Sequence, residues 1–81
     1  MVNENDPLSS ISKKYSVLLS GHRTSISLEP MFWNELRLIC QREKKSINQQ
    51  ITEIDNARLN NQKSNLSSEV RIFILKQLKR N

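Results

Sequence analysis

Arg23-Thr24-Ser25-Ile26-Ser27-Leu28-Glu29-Pro30 is the stretch on which the fold turns. Thr24, Ile26 and Leu28 alternate with Arg23, Ser25 and Ser27, the period of two that a strand shows when one face is buried and the other wet. Glu29-Pro30 closes the pattern. Proline removes a ladder donor but suits the first turn of a helix, where an acid also complements the macrodipole. Upstream, Tyr15, Val17 and Leu19 alternate with Ser16, Leu18 and Ser20 until Gly21 interrupts. The alternation predicts a strand over about 15–28. Gly21 within it reads as a bulge, as a bend in one long strand, or as the turn of an intrachain hairpin.

Downstream the period changes to that of helices. Phe32, Leu36, Ile39 and Cys40 recur at i, i+4, i+7 and i+8, which predicts a first helix over about 30–44 with Lys44 and Lys45 near its last carbonyls. Ser46 is placed to cap a second helix over about 47–58, marked on one face by Ile47, Ile51 and Ile54. Asn60 to Asn65 is polar and reads as a loop. Ser67 or Ser68 then caps a third helix over about 67–79, with Glu69 in its first turn and Lys76, Lys79 and Arg80 near its end. Its apolar set includes Leu66, Val70, Phe73, Ile74 and Leu78, too wide a face to leave in water. Met1 to Lys14 has no period and reads as a flexible arm before a single domain over 15–81.

Composition narrows the function. The chain has 81 residues, of which 36% are apolar and 5% aromatic, too few for a comfortable core in a lone monomer. One cysteine and one histidine give neither an internal disulfide nor a zinc site, so oligomerisation is the remaining means of support. Cys40 reads as a small buried hydrophobe. The net charge of +5 suits a polyanion. No apolar run approaches a membrane span, and the N-terminus, with Glu4 and Asp6, lacks the apolar core of a signal peptide, which points to the cytoplasm.

A strand with a polar outer face, then two helices with serine at the second cap, resembles the ribbon-helix-helix DNA-binding domains of the methionine-repressor and Arc type. The resemblance runs from Arg23 to Ile54. Gly21-His22-Arg23-Thr24-Ser25-Ile26-Ser27-Leu28-Glu29, with Asn65-Leu66-Ser67-Ser68-Glu69-Val70-Arg71 later, is further similar to a bacterial subgroup with an added C-terminal helix. The resemblance implies a mainly α fold with one β-strand per chain. Two chains then form an intertwined homodimer whose strands pair as a two-stranded antiparallel ribbon in the major groove of double-stranded DNA. On that pattern Arg23, Ser25 and Ser27 contact bases, a role that arginine and short hydroxyls suit chemically. Ser46, Ile47 and Asn48 at the second helix start hold a phosphate, with Lys44 and Lys45 adding attraction. His22 borders the strand, as a phosphate donor or as ordinary polar surface. Ile26, Leu28, Phe32, Trp33, Leu36, Ile39, Ile47, Ile51 and Ile54 form the dimer core. The family commonly has glycine between its helices, where this chain has Lys44-Lys45; a non-glycine residue in a left-handed turn costs about 1 kcal/mol, which favours another turn form.

Nothing in the sequence suggests catalysis, a cofactor or a metal: there is no nucleophile–base spacing and no glycine-rich phosphate loop. The expected function is a homodimeric transcriptional regulator or repressor. The alternative is an antitoxin-like module that binds its operator and also grips a partner protein through the C-terminal helix or the N-terminal arm.

Overall fold

The structure, a computed structural model, describes residues 11–58 and 65–80. Most of the expected arm and the expected loop from Asn60 lie outside these residues. The described chain runs β1 (Lys13–Leu19), β2 (His22–Leu28), α1 (Pro30–Glu43), α2 (Ile47–Ala57) and α3 (Leu66–Lys79).

The expectation of one strand per chain is corrected here. β1 and β2 pair antiparallel within the same chain, from Lys13 opposite Leu28 to Leu19 opposite His22. The physical reason is the two-residue loop between them. Ser20 and Gly21 take φ of 50° and 83°, positive at both centres, as in the type I′ turns whose twist matches that of the flanking strands. Of the three readings open at Gly21, the turn is the one found. Lys13 and Lys14, assigned from sequence to the arm, begin β1.

Leu19 and His22 flank the loop as its closing pair, so Lys14, Ser16 and Leu18 on β1 and Arg23, Ser25 and Ser27 on β2 turn their backbone groups to the two open edges. Each edge is tied to a helix by side chains, β1 by one and β2 by two. On β1, the Leu18 N–H donates to Asn48 Oδ1 of α2 at 3.0 Å. On β2, the Ser27 N–H donates to Ser67 Oγ at 2.9 Å and the Ser27 carbonyl accepts from Arg71 Nη2 at 3.1 Å.

The helices begin and end for local reasons. Pro30 occupies the first turn of α1, and the Glu29 carbonyl accepts from the Phe32 and Trp33 amides. At the other end Lys44 sits in the left-handed region (φ 56°, ψ 42°). The Lys45 amide bonds the Cys40 carbonyl and the Lys44 amide bonds Gln41, the pair of bonds that closes a helix in a Schellman motif. The turn therefore takes the left-handed form despite lacking glycine. Ser46 Oγ accepts from the Gln49 amide and caps α2. α3 starts at Leu66, capped by Asn65 Oδ1, which accepts from the Ser68 amide at 2.8 Å. The cap expected at Ser67 or Ser68 thus falls to Asn65, because Ser67 is occupied with β2.

All three helices pack on one face of the hairpin. Val17, Ile26, Leu28, Leu36, Ile39, Cys40, Ile51, Ile54, Val70 and Ile74 form a single buried cluster, with Tyr15, Phe32, Trp33, Ile47 and Phe73 partly buried against it. Trp33 stacks on Tyr15, ring centroids 4.0 Å apart and planes 6° from parallel. Every residue expected to await a partner chain in a dimer core is thus covered, wholly or in part, by this chain. α3 makes that possible by laying Val70 and Ile74 into the cluster.

Candidate nucleic-acid interface

The register assembles a face that the sequence gives only in halves. Lys14, Ser16 and Leu18 from β1 stand beside Ser27, Ser25 and Arg23 from β2, on the side of the hairpin away from the helices. Lys14, Ser16, Leu18, Arg23 and Ser25 are exposed and Ser27 is half-buried, and none of the six is acidic. A two-stranded ribbon has the width that the major groove admits, and this one presents a cation, three hydroxyls, an arginine and a leucine.

Arg23 is the central group. Its Nη1 donates to Ser16 Oγ at 3.3 Å across the strands, which steadies the guanidinium and leaves its other N–H groups directed outward. Arginine donating in pairs to guanine O6 and N7 is the commonest specific base contact, and serine hydroxyls accept or donate. Leu18, 46% exposed and paired with Arg23, offers an apolar surface of the kind that meets a thymine methyl. The sequence reading did not place Lys14, Ser16 and Leu18 on this face. The alternation from Tyr15 to Ser20 carried the signal, but reading 15–28 as one strand left the two halves unopposed.

The start of α2 lies at the β1 edge of this face, brought there by the Asn48–Leu18 bond. Ser46 and Asn48 are exposed, Ile47 is half-buried against the core, and the first amides of α2 have no carbonyl partner within the helix. Lys44 is exposed. Lys45 is not idle: its Nζ donates to Glu53 Oε1 at 2.6 Å, and this bond raises its pKa. Its charge is shared with a carboxylate before any phosphate arrives. His22 is exposed but stands on the other side of the hairpin from Arg23, opposite Leu19, and lines an open cavity with Thr24, Asp55, Arg58 and Asn65. The structure therefore does not bring His22 to the face that carries Arg23.

Behind the ribbon lies a charged junction. Arg71 of α3 donates through Nε to Glu29 Oε1 at 2.9 Å and through Nη2 to Glu29 Oε2 at 3.3 Å, while its guanidinium lies 6.0 Å from the Phe32 ring centre. Ser12 Oγ adds a third bond to Glu29 at 3.1 Å. The Arg71 bond holds the Glu29 pKa below its ordinary value, with burial pulling the other way. Burial also raises the pKa of the Cys40 thiol, which keeps it in its unreactive form.

The ribbon-helix-helix domain model matches residues 12–78, which takes in both strands and almost all of α3. The chain belongs to the ribbon-helix-helix family. No curated protein and no solved structure matches it. The ribbon-helix-helix family binds DNA, acts as dimers and is a regulatory fold that is not usually enzymatic. In this ribbon-helix-helix chain, no group of three or more acidic, histidine or cysteine residues that could hold a metal occurs among the described residues. No described helix is long and apolar enough to cross a membrane.

Proposed function

We propose that this chain is a sequence-specific double-stranded DNA binder that acts as a homodimeric transcriptional regulator, most simply a repressor that occupies its promoter. The observation that carries the reading is the outer face of the hairpin, free of acids and centred on a steadied arginine. Arg23, Ser25 and Ser27 read bases, joined by Ser16, Leu18 and Lys14. Ser46, Ile47 and Asn48 contact a phosphate through the start of α2, with Lys44 and Lys45 adding long-range attraction. Each chain carries a two-stranded ribbon of its own, so a homodimer presents two, and its operator holds two half-sites related by whole turns of the duplex. Half-exposed Met31 and Leu38 on α1 and Leu75 and Leu78 on α3 supply apolar surface for the second copy. A partner-capturing role for α3 gains no support, since Val70 and Ile74 are spent on the chain's own core.

Selection of binding sites from random duplex DNA tests the reading. A two-part motif of whole-turn spacing is the expected result, and recovery of no motif overturns it. Arg23→Ala is expected to relax preference at one or two base pairs per half-site, at about 1–3 kcal/mol, while the fold is retained.

A further inference from the structure

One hydrogen bond joins the outer edge of the ribbon to the start of α2, between residues 30 apart in sequence: the Leu18 N–H donating to Asn48 Oδ1 at 3.0 Å. Asn48 is not the cap of its own helix, because Ser46 accepts from the Gln49 amide. Only an acceptor suits the position facing an N–H, so the carboxamide oxygen is turned to Leu18 and the amino group outward. Leu18 is the register partner of Arg23. The tie therefore acts at the level of the strand pair that carries the principal base reader, near the turn end of the hairpin, where the strands lie farthest from the Glu29–Arg71 junction.

We infer that Asn48 is a positioning residue for base recognition by Arg23, holding the turn-proximal half of the ribbon at a fixed place relative to the start of α2. The inference rests on the DNA-binding reading above. Its physical content is preorganisation: a bidentate contact to guanine tolerates little displacement, and a reader is only as well placed as the groups that support it. Ser16 steadies the Arg23 guanidinium from the neighbouring strand. Asn48 steadies the backbone on which the pair rests. Without it the Leu18 amide faces water, and the outer edge of β1 at the Leu18–Arg23 pair loses its hydrogen bond to α2. A phosphate contact by the same side chain has a different signature, since phosphate contacts position without carrying sequence information and weaken all duplexes alike.

The test uses the full chain, the selected operator, and operators altered at each base pair. It compares Asn48→Ala, Asn48→Asp and, as a control for mere loss of stability, Asn65→Ala, which removes the α3 cap while leaving the Asn48–Leu18 bond in place. Asn48→Ala is expected to speed hydrogen exchange of the Leu18 amide about tenfold or more and to lower discrimination at the base pair read by Arg23 about fivefold or more. The salt dependence of binding stays unchanged. Asn48→Asp keeps an acceptor for Leu18, so protection and discrimination are retained while like charge weakens binding to every duplex. Asn65→Ala keeps full discrimination. An Asn48→Ala protein that loses affinity equally for all sequences, or that matches the wild type, overturns the inference. If the wild type itself shows no preference among duplexes, the DNA reading fails and the inference falls with it. That failure is distinct because it appears before any substitution is made.

Discussion

The two edges of the ribbon are held in contrasting ways. On β1 a single exposed neutral bond joins Leu18 to Asn48. On β2 both backbone groups of Ser27 are engaged by α3, and the arginine that accepts this task is itself paired to Glu29, packed near Phe32 and only 30% exposed. An open strand edge invites another strand, and covering it is one of the devices by which proteins prevent this. α3 covers the β2 edge as a neighbouring strand would, taking one N–H and offering one donor to one carbonyl. The lesson is that the end of the ribbon next to α1 is anchored to the core, whereas the turn end, with Arg23, depends on a lighter tie that recognition can use.

The largest effect comes from removing what seats α3. Ile74 is fully buried, and Ile74→Ala is expected to cost about 2–5 kcal/mol as a core truncation. Thermal melting measures the loss, and amide exchange divides it: protection at Ser27 falls further than at Leu18. Equal loss at both would show that the two edges open as one unit and would break the contrast.

Arg71→Met tests the β2 edge alone. It removes the guanidinium from the Ser27 carbonyl and leaves the Glu29 carboxylate with the Ser12 hydroxyl bond, for an expected cost of about 1–2 kcal/mol once partial exposure of the pair is allowed for. Tm should fall by roughly 5–10 °C for a domain of this size. A change below 1 °C would make the guanidinium an ornament of the surface rather than a clamp.

Acid sharpens the same point. The Glu29 pKa is lowered chiefly by the hydrogen bond from Arg71. A carboxylate whose pKa is lower in the folded chain contributes stability that is complete above its ordinary value of 4.5 and is lost as pH falls from there through the folded value. The difference in Tm between wild type and Arg71→Met is therefore expected to be constant near neutrality and to shrink below about pH 4.5. A difference that is the same at pH 3 as at pH 7 would remove Glu29 from the account.

Much of this was legible in the sequence, and what was not has particular causes. The helix periods at Leu36, Ile39 and Cys40 and at Ile51 and Ile54, the Ser46 cap and the proline stop depend on neighbours a few residues away, which sequence displays directly. So does the alternation that puts Arg23, Ser25 and Ser27 on one face. Lys14, Ser16 and Leu18 join that face only through register, which the Ser20-Gly21 turn sets. The left-handed Lys44 is favoured by two closing bonds that offset its local cost. Ser67 reads as a helix cap in isolation; its bond to Ser27, 40 residues away, is a tertiary choice that no local pattern reveals. His22 continues the polar run of Arg23 in sequence yet stands on the opposite side of the hairpin, because successive strand residues alternate.

The smallest expected effect lies at the turn that links the two edges. Ser20 has φ of 50° without the freedom of glycine, and Gly21 follows at 83°. Asn-Gly is the favoured pair for a type I′ turn, because asparagine tolerates the left-handed region better than serine does. Ser20→Asn is therefore expected to stabilise the hairpin by a few tenths to about 1 kcal/mol, seen as a rise in Tm of a few degrees. The gain should also appear in amide exchange at Leu18, next to the turn, and be absent at Ser27, near the other end of β2. The same substitution separates the hairpin from a single long strand paired with a second chain. In the long strand, residue 20 is extended, asparagine is among the residues depleted from strands and serine is not, and the substitution lowers stability and loosens the dimer. A rise in Tm with unchanged association keeps both strands in one chain. A fall in Tm accompanied by weaker association would return the ribbon to two chains and leave the β1 edge, Asn48 included, without a hairpin to steady.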